Sequence, residues 1–227
     1  MARILLGITG SVAAVKTSVL AAALLAAGHQ VRIARTHPAL AFFDPAELPA
    51  SAAPEPPPLG DRILFRDADE WPQDRRFQVG EPVLHIELRR WAELLIVAPL
   101  DANTLAKLAL GLCDNLLTCV YRAWEPDRPI LLAPAMNTRM WEHPATTRHL
   151  RQLLEDHHGA LPLGPLDADA LCETINATCP LLRIAPPQSK RLACGDEGQG
   201  AMADVTRIAQ AVELTFSEIF PPGQASR

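Results

Sequence analysis

The apolar positions of this chain fall into short unbroken runs separated by longer mixed stretches. Ala2 to Ile8 has the length of a strand buried on both faces. The turn Thr9-Gly10-Ser11 follows, then an Ala/Leu-rich helix to about Ala27 with Gly28 at its C-cap. Gln30 to Ala34 is a second strand, so the chain opens as strand, crossover helix, strand. Leu94–Ala98 and Pro129–Ala133 are further buried strands. Helices are predicted over Leu84–Ala92, Thr104–Leu110 with Gly111 closing it, Asn115–Trp124, Pro144–His157 and about Asp204–Phe216. Three stretches read as irregular. Pro45–Pro58 is rich in Pro, Ala and Glu and predicts a mobile loop; Trp71–Pro82 is polar; the proline-rich Gly159–Ser189 carries no clear period.

The pattern predicts an α/β protein with a Rossmann-like (flavodoxin-like) doubly wound parallel sheet. It forms a single domain over 1–218, with loops near 45–82 and 160–189 and a flexible tail at 219–227. A length of 227 residues suits one sizeable core.

Charge narrows the partners. The net charge is −5 and no basic run is present, which argues against nucleic acid. No apolar stretch reaches the roughly 18 residues that span a bilayer. Gly7, Gly10, Ser11 and Lys16 interrupt the apolar amino-terminal region, which therefore reads as strand and helix rather than as a secretory leader. The five cysteines form no C-x-x-C pair, which points to a reducing, cytoplasmic setting without a disulfide framework or metal site.

The Gly7-Ile8-Thr9-Gly10-Ser11 turn lies between a strand and a helix, where backbone N–H groups can meet a phosphate. It is neither G-x-G-x-x-G nor a P-loop. Arg35 and Thr36 end the second strand with no acidic residue to hold an adenosine ribose, which favours a mononucleotide over a dinucleotide. Asp101, Asn103, Thr104 and Asn137 follow two other strand ends, the edge where open parallel sheets bind ligands.

Four segments carry a resemblance. They are Pro82–Trp91 with His85, Ala98–Lys107 with the later Cys113–Thr118, Ala133–Trp141 with Pro134-Ala135-Met136-Asn137, and Arg191–Ala203 with Cys194. Together they resemble the homo-oligomeric flavin-containing cysteine decarboxylases. The resemblance covers Gly7 to about Asp204, and the Ala193–Ala203 motif is similar to that of the coenzyme A branch. It implies FMN held by Gly10, Ser11, Val12, Thr36, Asp101, Ala102, Asn103, Thr104 and Ala135. It also implies a small-molecule substrate, phosphopantothenoylcysteine, contacted by Asn137, Met140, Arg191 and Ala193.

By the same resemblance His85 transfers protons around the thiol, and Cys194 protonates the enethiolate after CO2 has left. The family's sites lie between subunits of a homotrimer, with the histidine from one chain and the asparagine and cysteine from its neighbour. Two departures stand out. Pro38 occupies a place where relatives often carry a hydroxyl near the flavin phosphate, and 160–189 is longer than usual, with Cys172 and Cys179 outside the family pattern. Cys113 and Cys119 read as core thiols, His157-His158 as a solvated helix end, and Trp91, Trp124 and Trp141 as packing or interface residues. Rival readings are a peptide-cysteine decarboxylase of the same fold, a flavin prenyltransferase, and a phosphatase-regulatory homologue; the last lacks the acidic tail its kind carries.

Overall fold

The computed structural model describes residues 1–48, 54–74, 76–161, 164–191 and 197–219. The amino-terminal run forms β1 (Arg3–Ile8), and β2 (Gln30–Arg35) pairs with it in parallel. Between them lie a 3-10 turn, Val12–Lys16, and α1 (Thr17–Ala26). The predicted helix thus begins as a tighter coil. Ser11 caps that coil, its hydroxyl accepting from Ala13 N at 3.4 Å.

Two short elements were not anticipated: β3 (Leu64–Phe65) at the sheet edge and α2 (Asp67–Glu70) after it. Then come α3 (Leu84–Trp91), β4 (Leu94–Leu100), α4 (Ala102–Leu110), α5 (Leu116–Arg122) and β5 (Ile130–Pro134), all near their predicted bounds. A short α6 (Thr138–Trp141) precedes α7 (Pro144–His158).

The proline-rich stretch requires a correction. Residues 160–189 are largely ordered secondary structure: α8 (Ala168–Thr178), β6 (Leu182–Ile184) and the first half of β7 (Gln188–Arg191). β6 adds to the sheet beside β5, and β7 pairs antiparallel with β8 (Glu197–Ala201). The helix α9 (Val205–Ile219) closes the described chain. The predicted mobile loop at Pro45–Pro58 falls partly outside the described residues, as does nearly all of the tail from 219.

Strand order is β3-β2-β1-β4-β5-β6, all parallel. Alternation along each strand splits the core in two. Ile4, Leu6, Ile8, Ile33, Ile96 and Leu131 face α1 and α9; Leu5, Leu95, Val97 and Leu132 face α3, α5, α7 and α8. Parallel strands covered on both sides need such continuous apolar runs. Trp91 and Trp141 are buried in the second layer as expected, and Trp124 packs against it.

The thiols divide differently from expectation. Cys172 and Cys179 are the core cysteines, and burial pushes the Cys172 thiol up to about 12. Cys113 is exposed because Gly111 ends α4 in a left-handed turn before the cysteine is reached. Cys119 is half-buried, its thiol raised to about 11 mainly by burial. Nor is His157 fully solvated: its Nε2 lies 3.4 Å from the Tyr121 hydroxyl, and burial lowers its pKa. Among the described residues no helix is long and apolar enough to cross a membrane, and no cluster of three potential metal ligands occurs.

If α8 belongs to the core, truncating its most buried leucine must open a cavity. Leu171 is 0% exposed. Leu171→Ala is expected to cost about 2–5 kcal/mol, lowering the thermal midpoint by roughly 5–15 °C. A shift under about 2 °C would mean that the segment is only a surface insertion.

Candidate active site

In an open α/β sheet, ligands bind beyond the carboxyl ends of the strands, where the order reverses. Here β1 leads to β2 on one side and lies beside β4 on the other, so the reversal falls between β1 and β4. The loops leaving these strands carry most of the predicted cofactor residues.

Short hydrogen bonds stitch the strand ends together. Thr9 is fully buried; its hydroxyl donates to Pro99 O at 2.8 Å and accepts from Asp101 N at 2.8 Å. One side chain thereby ties the end of β1 to the loop after β4. Thr36 N donates to Ile8 O at 2.9 Å, and Ala135 N to Leu100 O at 2.9 Å. Asp101 caps α4 by accepting from Thr104 N at 2.6 Å. Its Oδ2 is also close to Gly10: a Cβ built there would lie 3.4 Å from it.

A cavity of about 210 Å³ lies in this crevice, lined by Thr36, Pro38, Asp101, Asn103, Thr104, Lys107 and neighbours from the α5 approach. Its carboxylates are engaged. Asp101 holds its helix cap, Asp114 binds Lys107 Nζ at 2.6 Å, and Asp67 accepts from Leu116 N at 2.9 Å. What remain are the amides of Asn103 and Asn115, the His37 imidazole, hydroxyls and helix-start N–H groups, a donor and acceptor mix suited to the polar edge of a heterocycle. Ala102 also lines a second cavity, of about 410 Å³, together with Met140, Arg139 and His143. A predicted cofactor residue and a predicted substrate residue therefore share one wall.

The Asn137 segment is pinned from outside. Asn137 caps α6, its Oδ1 accepting from Arg139 N at 2.8 Å. Met136 N donates to Gly200 O at 2.9 Å, joining β8 to this loop. Gly200 has φ +139, and a Cβ on it would lie 2.3 Å from Met136 O, so only glycine permits this approach. Gln199 Nε2 donates to Asp169 Oδ1 at 2.6 Å, and the same oxygen accepts from Trp141 Nε1 at 3.3 Å. Burial raises the Asp169 pKa, against the Trp141 hydrogen bond that lowers it. Asp169 on α8 thus anchors both the β7–β8 hairpin and the segment after Asn137. Ala193 and Cys194 lie outside the described residues. Arg191 ends β7, and its side chain also falls outside the description.

His85 lies on the first turn of α3. Its partner is Glu70 on α2: Nδ1 lies 2.7 Å from Glu70 Oε1, and the His85 backbone N–H donates to Oε2 at 2.8 Å. Glu70, Thr9, Lys107 and Asp169 were missed as site residues. Thr9 and Lys107 lay within segments read as part of the site, and Asp169 within the stretch read as irregular.

Fold and crevice together define a mononucleotide-binding α/β protein. The family model "Flavoprotein" matches residues 1–217. The mouse phosphopantothenoylcysteine decarboxylase is 42% identical over 217 residues, 95% of this chain and 88% of that protein. Among solved structures, a cysteine-to-serine mutant of PPC decarboxylase complexed with pantothenoylaminoethenethiol is 42% identical. It has a TM-score of 0.74, covering 95% of this chain and 98% of that one. The FMN binding protein AtHal3 is 42% identical with a TM-score of 0.71, covering 99% of each chain. The chain belongs to the flavoprotein family.

The residues present fit a flavin, with one adjustment. Pro38 lies directly against Gly10, where a Cβ would come within 2.5 Å of the proline Cβ. Pro38 offers no donor, so a phosphate bound at this turn would have to rely on Ser11, on backbone N–H groups and on Thr36. The Thr36 hydroxyl contacts Ile8 O at 3.4 Å, a long bond that a better acceptor can replace. Gly10→Ala would force the turn away from Pro38. We expect at least about tenfold weaker flavin retention, a loss of about 1.4 kcal/mol or more, with far-UV dichroism preserved. Unchanged flavin content after extensive dialysis would show that the Gly10 turn is not part of the site.

Proposed function

We propose that the protein catalyses the FMN-dependent decarboxylation of N-(4-phosphopantothenoyl)cysteine to 4′-phosphopantetheine, a step of coenzyme A biosynthesis in the cytoplasm. The observation that carries this reading is the stitched crevice at the switch point, with the Asn137 loop pinned beside it. A carboxylate on an amide-bearing carbon loses CO2 poorly, because the electron pair left behind has no acceptor. Bound FMN supplies reversible two-electron oxidation of the thiol carbon, which places C=S beta to the carboxylate.

The chain's own residues then have separate tasks. Ser11, Asn103 and Thr104 position the cofactor, and Ala135 leaves room beside it. The Asn137 side-chain amide holds the substrate carboxylate, while Met140, Arg191 and Ala193 line its path. His85 accepts the thiol proton. Cys194 returns a proton to the enethiolate, for which a thiol of pKa about 8.5 is far better suited than a serine hydroxyl.

The active unit is a homotrimer with each site shared between two chains. An exposed apolar strip of Val12, Val15, Val19 and Leu40 flanks the Gly10-Ser11 turn, and a second copy would cover it.

The test uses His85→Asn and Cys194→Ser. As a homo-oligomer, Cys194→Ser is expected to release CO2 yet accumulate the enethiol, and His85→Asn to release none. Co-expressed, the two should regain saturated product, because mixed trimers contain sites with both native residues. Near wild-type formation of 4′-phosphopantetheine by Cys194→Ser alone would remove the cysteine from the reaction. Mixtures no better than either parent would contradict a shared site.

A further inference from the structure

We infer that Glu70 is the positioning residue that locks the tautomer of His85, so that Nε2 is the nitrogen that accepts the substrate proton. The inference rests on the proposed role of His85 and adds a residue to it. A carboxylate can only accept hydrogen bonds. At 2.7 Å from Glu70 Oε1, His85 Nδ1 must therefore carry the proton, which leaves the lone pair on Nε2.

The carboxylate is placed with little freedom. Its second oxygen accepts from the His85 backbone N–H at 2.8 Å, so both oxygens bind one residue in a fork. The Glu70 side chain is only 6% exposed, against 23% for His85. The short helix α2 is held on other sides as well. Asp67 accepts from Leu116 N at 2.9 Å, and Asp69 meets Arg62 at 2.7 Å and Arg66 N at 2.9 Å. The segment before it is tied down by Arg32, whose buried guanidinium donates to Leu59 O, Gly60 O and Arg62 O. These contacts fix where the Glu70 carboxylate stands against His85.

The fork makes the isosteric substitution informative. In Glu70→Gln the single carbonyl oxygen is claimed by the His85 backbone N–H, which can only donate. The amide NH2 then faces Nδ1, which must become the acceptor, and the proton moves to Nε2. Size and shape are kept while the tautomer inverts, the logic by which a carboxamide replacing a triad aspartate disables a histidine base.

The experiment is nitrogen-15 NMR of the flavin-loaded full-length protein with labelled histidine, the His85 resonances being assigned by their loss in His85→Asn. Wild type is expected to show a protonated Nδ1 and an unprotonated Nε2, and Glu70→Gln the reverse. Turnover in Glu70→Gln should fall by about 10²- to 10⁴-fold, with KM and flavin content near wild type. A protonated Nε2 in neutral wild-type His85 would overturn the inference without reference to any variant. Wild-type turnover in Glu70→Gln with the tautomer inverted would overturn it too. Full activity in His85→Asn would instead defeat the reading of His85 as the base, a failure separate from the tautomer that the resonances report.

Discussion

The hydroxyl of Thr9 is the point on which the site depends. It is buried where the parallel sheet reverses direction, and it accepts from Asp101 N while donating to Pro99 O. A parallel strand pair ends with backbone groups that have lost their ladder partners, and something must satisfy them. Thr9 does so across the gap between β1 and β4, and in doing so fixes the Asp101 loop against the Gly10-Ser11 turn. Thr36 and Ala135 perform the same service for β2 and β5 through main-chain bonds. Four loops that diverge in sequence are thus held to one crevice, which is the pre-organisation that a bound cofactor requires.

A second layer of support comes from the part of the chain that looked least structured. Helix α8 packs Leu171, Cys172 and Ile175 into the core and presents Asp169 at its first turn. That carboxylate binds Gln199 from the hairpin and Trp141 from the segment after Asn137. Residues 160–189 therefore do more than form a loop. They carry the post to which the hairpin beside Cys194 is fastened, and the bare backbone of Gly200 lets that hairpin close on Met136.

The centre of the sheet was legible because β1, β4 and β5 are short apolar runs, and the candidate site because small polar residues follow two of them. The rest was hidden for identifiable reasons. β3 is two residues long and β6 three, too short for any period to register. In α8 the prolines at 165 and 180 flank an apolar face of only four residues, so the helix was lost among breakers. Glu70 sits in the polar run Asp67–Glu70, and nothing in spacing signals that it will meet a histidine 15 positions later. Cys113 was read as a core thiol, yet it lies past the left-handed Gly111 between the exposed Leu112 and the start of α5. Tertiary contacts, rather than local pattern, decided each of these.

On the proposed function, this crevice serves flavin-dependent loss of CO2 from an N-acyl cysteine. The most direct test feeds N-(4-phosphopantothenoyl)cysteine, labelled with carbon-13 in its carboxylate, to preparations of the purified protein that differ only in FMN occupancy. One labelled CO2 is expected for each 4′-phosphopantetheine formed, at a rate proportional to bound FMN and vanishing in the stripped protein. Equal rates with and without FMN, or no labelled CO2 from fully loaded protein, would contradict it.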